Sequence, residues 1–312
     1  MIALLAPGQG AQTSGMLEPW LDAAGARDRV AQFSEAAGLD LLRLGTTADA
    51  EEIKDTAVTQ PLIVATSLLA FEQLRQRVDL PADVPVAGHS IGELAAATIA
   101  GVLSAEEAVA LAAVRGAEMA AACALEPTGM SAMMGGDPDE VLARLDELGL
   151  EPANRNGAGQ MVAAGPLSAL RTLADKPPAK VKVVSLKVAG AFHTRFMAPA
   201  TEKLRARAER ITPNDPARPL LSNADGAVME SGAETLRRLV QQVTLPVRWD
   251  KVMATLGGLG ASSTVELPPG KTLSGLVKRE LRPAVTLALK SPAELDLVAE
   301  LLAEHTTIGS QQ

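Results

Sequence analysis

The sequence predicts an α/β fold in which a larger domain is interrupted by a small βαββαβ unit, ferredoxin-like in its order. Three observations predict it. A short apolar run, Val84-Pro85-Val86-Ala87, enters Gly88-His89-Ser90-Ile91-Gly92 and continues as the helix-forming run Glu93-Leu94-Ala95-Ala96-Ala97, which is strand, sharp turn, helix. Residues 130 to 188 carry strand and helix patterns in the order βαββαβ. At 312 residues the chain can also bury one large core plus a smaller one.

Composition narrows the function. Hydrophobic residues make up 47% and charged residues 21%, as in a globular enzyme rather than a disordered chain. Aromatics are only 2%, so Leu, Val and Ala must build the core, with Met as filler. A net charge of −8 argues against a general nucleic-acid binder, and any acidic partner must dock on a local basic patch. The single cysteine, Cys123, excludes an internal disulfide and suits a reducing cytoplasm. Set among alanines, it reads as a small buried filler rather than a reactive thiol. Met1-Ile2-Ala3-Leu4-Leu5-Ala6-Pro7-Gly8 lacks a basic leader segment and reads as a first strand. No charge-free stretch of the ~20 apolar residues that span a bilayer is present, so a cytosolic protein is expected.

Residues 2 to 6 are expected to form a buried strand ending in the loop Pro7-Gly8-Gln9-Gly10-Ala11-Gln12. Its glycines permit close backbone approach, but neither a Gly-x-Gly-x-x-Gly fingerprint nor a following Lys-Ser/Thr completes a phosphate loop. Helical stretches fill residues 17 to 56. A buried helix is expected over residues 58 to 78, introduced by Thr59-Gln60-Pro61 with proline near the first turn. The elbow follows. Its sharp bend requires small residues around Ser90, lifts the hydroxyl above the sheet, and frees the Ile91 N–H at a helix N-terminus, where a negative oxygen is stabilised. The simpler reading of Ser90, a helix cap, stays open.

Ser104 with Glu107 spells a capping box opening a helix to about residue 123. Arg115 lies on its apolar stripe, flanked by Ala108, Leu111, Met119 and Ala122. A buried arginine needs an anionic partner. That partner is Glu118 at i+3, solvent reached by snorkelling, or a carboxylate arriving with a substrate. Within the βαββαβ unit, strands are expected over 130–134, 153–156, 161–165 and 181–188, with helices from Asp137-Pro138 to 148 and over 166–174. Val188-Ala189-Gly190-Ala191-Phe192-His193-Thr194 then leads into a helix expected over 195–211. Of three histidines, His89 is turned away from its serine neighbour and His305 lies in a polar tail. His193 is left at a strand end, where sheets present catalytic groups, although a lone loop histidine is also an ordinary surface residue. Further strands and helices follow to a terminal helix over 292–303 and an unpatterned, mobile tail from 304 to 312.

Five segments in order, Gly8-Gln9-Gly10-Ala11-Gln12, Thr59-Gln60-Pro61, Gly88-His89-Ser90-Ile91-Gly92-Glu93, Arg115-Gly116 and Gly190-Ala191-Phe192-His193, carry a resemblance. They resemble the malonyl-CoA:acyl-carrier-protein transacylases of fatty acid synthesis and the related acyltransferase domains of polyketide synthases. The resemblance extends to Pro269-Gly270-Lys271-Thr272-Leu273. It implies an α/β-hydrolase-like large domain, residues 1–126 and 190–312, roofed by a small ferredoxin-like domain, residues 127–189. It implies a Ser90–His193 dyad, the imidazole oriented by the main-chain carbonyl of Gln242, and an oxyanion held by the N–H groups of Gln9 and Ile91. Arg115 becomes the clamp for the free carboxylate of malonate. Gln60, Met119, Phe192, Asn154 and Asn156 are expected to line the cleft.

The same resemblance implies malonyl-CoA as substrate, the phosphopantetheine thiol of an acyl carrier protein as acceptor, and neither a metal nor a permanently bound cofactor. Carrier proteins are acidic, so Lys180, Lys182, Lys187, Arg195, Lys278 and Arg279 are candidates for a docking patch on a cytoplasmic monomer. Two departures stand out. The family's Glu-Val-Gly-Pro-Gly reads Glu266-Leu267-Pro268-Pro269-Gly270 here, and the malonyl selector His-Ala-Phe-His reads Gly190-Ala191-Phe192-His193. A serine thioesterase or esterase, and an inactive carrier-protein-binding module, are the alternative readings.

Overall fold

The structure, a computed structural model, describes residues 1–282 and 284–309, with side chains as far as residue 304. Strand β1 (Ile2–Ala6) is apolar and buried at every position, as a parallel strand covered on both faces must be. Three helices follow, α1 (Ala26–Ala37), α2 (Leu41–Thr46) and α3 (Thr56–Arg77). Asp55 caps α3 through the Ala57 N–H, so the helix starts two residues before the expected residue 58. Pro61 consequently sits inside the helix, in its second turn. By length and composition α3 is apolar enough to cross a membrane, yet 83% of that stretch is buried within the protein. It is a core helix, packed along its length against α5.

Strand β2 (Val86–Gly88) runs into α4 (Gly92–Ile99), and α5 (Ala105–Cys123) opens on the Ser104–Glu107 capping box read from the sequence. Next come β3 (Thr128–Gly135), α6 (Pro138–Glu147), β4 (Glu151–Gly157), β5 (Gln160–Pro166), α7 (Leu167–Asp175) and β6 (Val181–Ser185). Asp137 caps α6 with Pro138 in its first turn. These strands form a separate sheet in the order β4-β5-β3-β6, every neighbouring pair antiparallel. Strand β6 stops three residues short of the expected 188. Its ladder with β3 ends at the Ser131–Ser185 pair, and Leu186, Lys187 and Val188 turn into the cleft wall.

The remaining elements are α8 (Thr201–Ala208), β7 (Leu220–Leu221), β8 (Val228–Met229), α9 (Gly232–Gln241), α10 (Trp249–Gly258), β9 (Ser263–Glu266), α11 (Thr272–Glu280), β10 (Val285–Ala288) and α12 (Leu295–Gly309). The single helix expected over 195–211 is instead a 3-10 segment, Arg195–Ala200, followed by α8. Pro199 brings no N–H to an α-helical ladder there. At the other end α12 runs on to Gly309, through most of the segment expected to be an unpatterned tail. Residues 310–312 of that tail lie outside the described residues.

The large sheet has the order β10-β9-β1-β2-β7-β8, parallel except for β8. Side chains alternate across it. Ile2, Leu4 and Ala6 enter one core cluster, while Ala3 and Leu5 enter another with Trp249 and Leu276. The small sheet keeps its own core around Met133, Val141, Leu145 and Leu173. Two backbone hydrogen bonds tie the layers, Arg155 N–H to Val247 O and Val247 N–H to Ala153 O, both at 2.9 Å. Pairing of Ala6 with Gly88 sets the ends of β1 and β2 side by side. The Gly8-Gln9 loop and the Ser90 turn therefore emerge together beneath the small sheet.

Candidate active site

The turn after β2 depends on two glycines. A Cβ on Gly88 would lie 2.0 Å from the Gly92 carbonyl oxygen, and one on Gly92 would lie 2.3 Å from the Ala6 oxygen. Ser90 between them has φ +54°, a left-handed conformation that costs a non-glycine residue about 1–3 kcal/mol. Its N–H donates to Asn223 Oδ1 at 2.8 Å, so an asparagine just after β7 holds the strained bend. The N–H groups of Ile91 and Gln9 donate to no acceptor among the described residues. One opens α4 and the other follows β1.

His193 also adopts a positive φ, +61°. Its Nδ1 lies 2.8 Å from the Gln242 main-chain oxygen, and its Nε2 lies 2.7 Å from Ser90 Oγ. A carbonyl oxygen only accepts, so Nδ1 carries the proton and Nε2 is free to take one from the hydroxyl. Burial drives the imidazole down to about 3, and the neighbouring Arg115 charge pushes in the same direction. The ring is therefore neutral near neutrality, backed by a carbonyl dipole in place of a carboxylate.

Arg115 is 3% exposed. Its Nη1 donates to Gln60 Oε1 at 2.7 Å, and its Nη2 donates to Gln242 Oε1 at 2.8 Å and to Ser90 Oγ at 3.3 Å. Glu118, its helix neighbour, pairs with Lys203 instead. Burial lowers the guanidinium to about 10, opposed by the charge of Glu93, which leaves it a cation. Each of these hydrogen-bond partners is neutral, so among the described residues its charge has no direct counter-ion.

These groups face a cavity of about 360 Å³ between the two sheets. Gln9, Gln60, Ser90, Arg115, Met119, Asn154, Asn156, Phe192 and His193 line it, whereas Gln242, behind the imidazole, and the buried Ile91 are not among the lining residues. Gln60 Nε2 reaches Met119 Sδ and Gln9 Oε1, each at 3.5 Å. Asn154 makes no side-chain hydrogen bond among the described residues. Asn156 is committed at both ends, to His89 Nε2 and to Gln160 Oε1, each at 3.0 Å. His89 also borders the cavity, its ring in T-shaped contact with Trp249 at 5.4 Å between centroids. Of the basic candidates Arg195 pairs with Glu151, and Lys187 borders the cavity. No cluster of three or more His, Cys, Asp or Glu side chains suited to a metal occurs among the described residues.

Two participants escaped sequence reading. Asn223 follows the short apolar run Leu220-Leu221, and Glu93 opens the helix after the elbow, and nothing in their spacing marks a role for either. The signal for both is the polar residue itself, an amide following an apolar strand and a carboxylate directly after the elbow glycine Gly92, at the start of an alanine-rich helix.

The geometry offers a hydroxyl with a base, a pair of free N–H donors and a buried cation, which suits acyl transfer through a covalent serine ester. The profile of the acyl transferase domain family matches residues 4–305. The malonyl CoA-acyl carrier protein transacylase of Mycobacterium tuberculosis (strain H37Rv) is 61% identical over 302 residues, covering 96% of this chain and 100% of that protein. The crystal structure of MCAT from Mycobacterium tuberculosis superposes with TM-score 0.93 at 60% identity, covering 96% of this chain and 99% of that one. A malonyl-transacylase solved in complex with a type II PKS acyl-carrier protein superposes with TM-score 0.88 at 30% identity, covering 94% of this chain and 97% of that one. The chain belongs to the acyl transferase domain family, among the malonyl CoA-acyl carrier protein transacylases.

Proposed function

We propose that the protein moves malonyl from malonyl-CoA to the phosphopantetheine thiol of an acyl carrier protein through a malonyl ester on Ser90. His193 Nε2 takes the Ser90 proton as Oγ attacks the thioester carbonyl. The resulting oxyanion is received by the N–H groups of Gln9 and Ile91. The tetrahedral adduct collapses, the carbon–sulfur bond breaks, and the imidazolium returns its proton to the departing CoA sulfur. The carrier thiol then attacks the ester by the same steps in reverse. An imidazole lowered to about 3 by burial and by Arg115 is a weak base. A carboxylate docking on Arg115 offsets that cation's part of the depression, which burial dominates and His89 shares, so the base strengthens as the correct acyl group arrives.

The observation that carries this reading is the single point of contact at Ser90 Oγ, 2.7 Å from His193 Nε2 and 3.3 Å from Arg115 Nη2. A diacid of three carbons spans from the serine ester to that guanidinium. Asn154, whose side chain has no hydrogen-bond partner among the described residues, is available to the bound thioester. The antiparallel order β4-β5-β3-β6 supports a ferredoxin-like small domain over residues 127–189, inserted in a hydrolase-like large domain of residues 1–126 and 190–312. The carrier complex of the similar malonyl-transacylase supports a carrier partner, met on a local basic surface, and a cytoplasmic setting accords with the thiol chemistry.

A hydrolase would use the same elbow and dyad, so partitioning of the acyl-enzyme decides between them. Purified malonyl-enzyme is expected to discharge onto pantetheine thiol in preference to water. Rapid release of free malonate at a rate independent of thiol concentration would identify a thioesterase. Phe192 lines the cavity together with the dyad residues, and on this reading it takes up the space an α-methyl group would need. Replacing it, Phe192→Ser, is expected to raise methylmalonyl relative to malonyl transfer by about 10-fold, since one methyl group is worth about 1–3 kcal/mol. Competition between the two CoA esters reads this directly, and an unaltered ratio would remove Phe192 from the selector.

A further inference from the structure

Glu93 is 4% exposed and faces the back of the elbow, away from the cavity. One carboxylate oxygen accepts from the Asn223 N–H at 2.9 Å, and the other accepts from Gln242 Nε2. Asn223 in turn donates Nδ2 to the Gly88 oxygen at 2.7 Å and accepts the Ser90 N–H. Gln242 is the hub. Its main-chain oxygen meets His193 and its side-chain oxygen meets Arg115, while its amide nitrogen donates to Glu93, to the Ser90 oxygen at 3.1 Å and to Asn223 Oδ1 at 3.3 Å.

A primary amide has one accepting and one donating end. Everything around Gln242 Nε2 accepts, and the carboxylate is the charged member of that set. Glu93 forms no ion pair with a cation among the described residues, although its charge reaches Arg115 through the intervening amide. A carboxylate in direct contact would occupy the guanidinium edge that an acyl carboxylate needs. One amide away, it balances the buried cation and leaves that edge free. Its partners are all donors, which matches the ionised form, while burial raises the group to about 7.

We propose that Glu93 is a positioning residue for acyl-group selection: by holding the Gln242 amide with its oxygen toward Arg115, it presents the guanidinium to the substrate carboxylate. The proposal rests on the reading of Arg115 given above. In Glu93→Gln the new amide must offer its oxygen to the Asn223 N–H, which sets NH₂ against the Gln242 NH₂. Relief by turning Gln242 sets a donor against Arg115 and displaces the guanidinium.

The test measures the rates of Ser90 acylation by malonyl-CoA and by acetyl-CoA, and the KM for malonyl-CoA, in the parent, Glu93→Gln and Arg115→Ala. Glu93→Gln is expected to lower the malonyl-over-acetyl ratio by about 10–100-fold, the range of one charge-assisted hydrogen bond, with a raised KM. A general loss of folded protein lowers both rates together and leaves the ratio in place, and that result overturns the proposal. If Arg115→Ala collapses the ratio while Glu93→Gln keeps it, the Glu93 proposal alone fails. If Arg115→Ala keeps it, the reading of Arg115 fails first. Should Glu93→Gln not fold, Glu93→Asp carries the test. The shorter carboxylate keeps its charge but withdraws from Gln242, so the ratio falls severalfold, and a parental ratio in that variant overturns the proposal.

Discussion

Ser90→Ala is expected to abolish acyl-enzyme formation and to lower malonyl transfer by on the order of 10⁶-fold, the loss typical when the nucleophile of an acyl-transfer site is deleted. The fold should survive the change. Alanine tolerates the space, and the bend depends on Gly88, Gly92 and the Asn223 contact to the Ser90 N–H rather than on the hydroxyl. What disappears is the atom that His193 Nε2 and Arg115 Nη2 both address. The oxyanion donors and the cation remain, so malonyl-CoA should still bind with an affinity near that of the parent. Rapid-quench trapping of radiolabelled malonyl on the protein checks the first part, and equilibrium binding of malonyl-CoA checks the second. A variant that still accumulates malonyl-protein would mean that the nucleophile is elsewhere.

Arg115→Ala carries the second large effect. Truncating one partner of a buried, hydrogen-bonded charge pair costs about 2–5 kcal/mol. Malonyl transfer should therefore fall by on the order of 10²–10³-fold, with acetyl transfer retained or increased. The opposite responses follow from position. In the parent the guanidinium adds to the burial that depresses His193, and a carboxylate on the acyl group would offset the guanidinium's share. Removing the cation relieves the imidazole for every acyl group, so a neutral acyl group gains while malonyl loses its anchor. Parallel acylation assays with the two CoA esters measure the ratio. Equal losses for both would assign Arg115 to the architecture of the cleft rather than to its selectivity.

The parts of the site legible in the sequence are those written in local spacing. Gly88-x-Ser90-x-Gly92 between an apolar run and an alanine-rich helix marked the elbow, because so tight a turn excludes side chains on either flank. Ser104 with Glu107 marked the start of α5, and the apolar neighbours of Arg115 marked its burial. Its partners could not be read that way. Gln60 lies 55 residues away and Gln242 lies 127 away, and both are neutral amides where a carboxylate was sought. Gln242 came into view only through resemblance, since a main-chain carbonyl that orients a histidine leaves no mark on residue type. Glu93 and Asn223 leave no local mark because their partners, the Gln242 amide and backbone groups of the elbow and of residue 223, are distant in sequence. Element ends failed for similar reasons. The length of β6 is set by where β3 stops pairing, and the 195–211 segment is divided by Pro199, although its pattern is continuous.

The account turns on a malonyl ester at one serine, and mass spectrometry reads it most directly. The protein is incubated briefly with equal malonyl-CoA and acetyl-CoA, quenched in acid, weighed intact and then mapped by peptides. The expected spectrum shows one malonyl group per chain, on the peptide containing Ser90, with acetyl a minor species. An unmodified protein, or a malonyl group carried on any other residue, would contradict it.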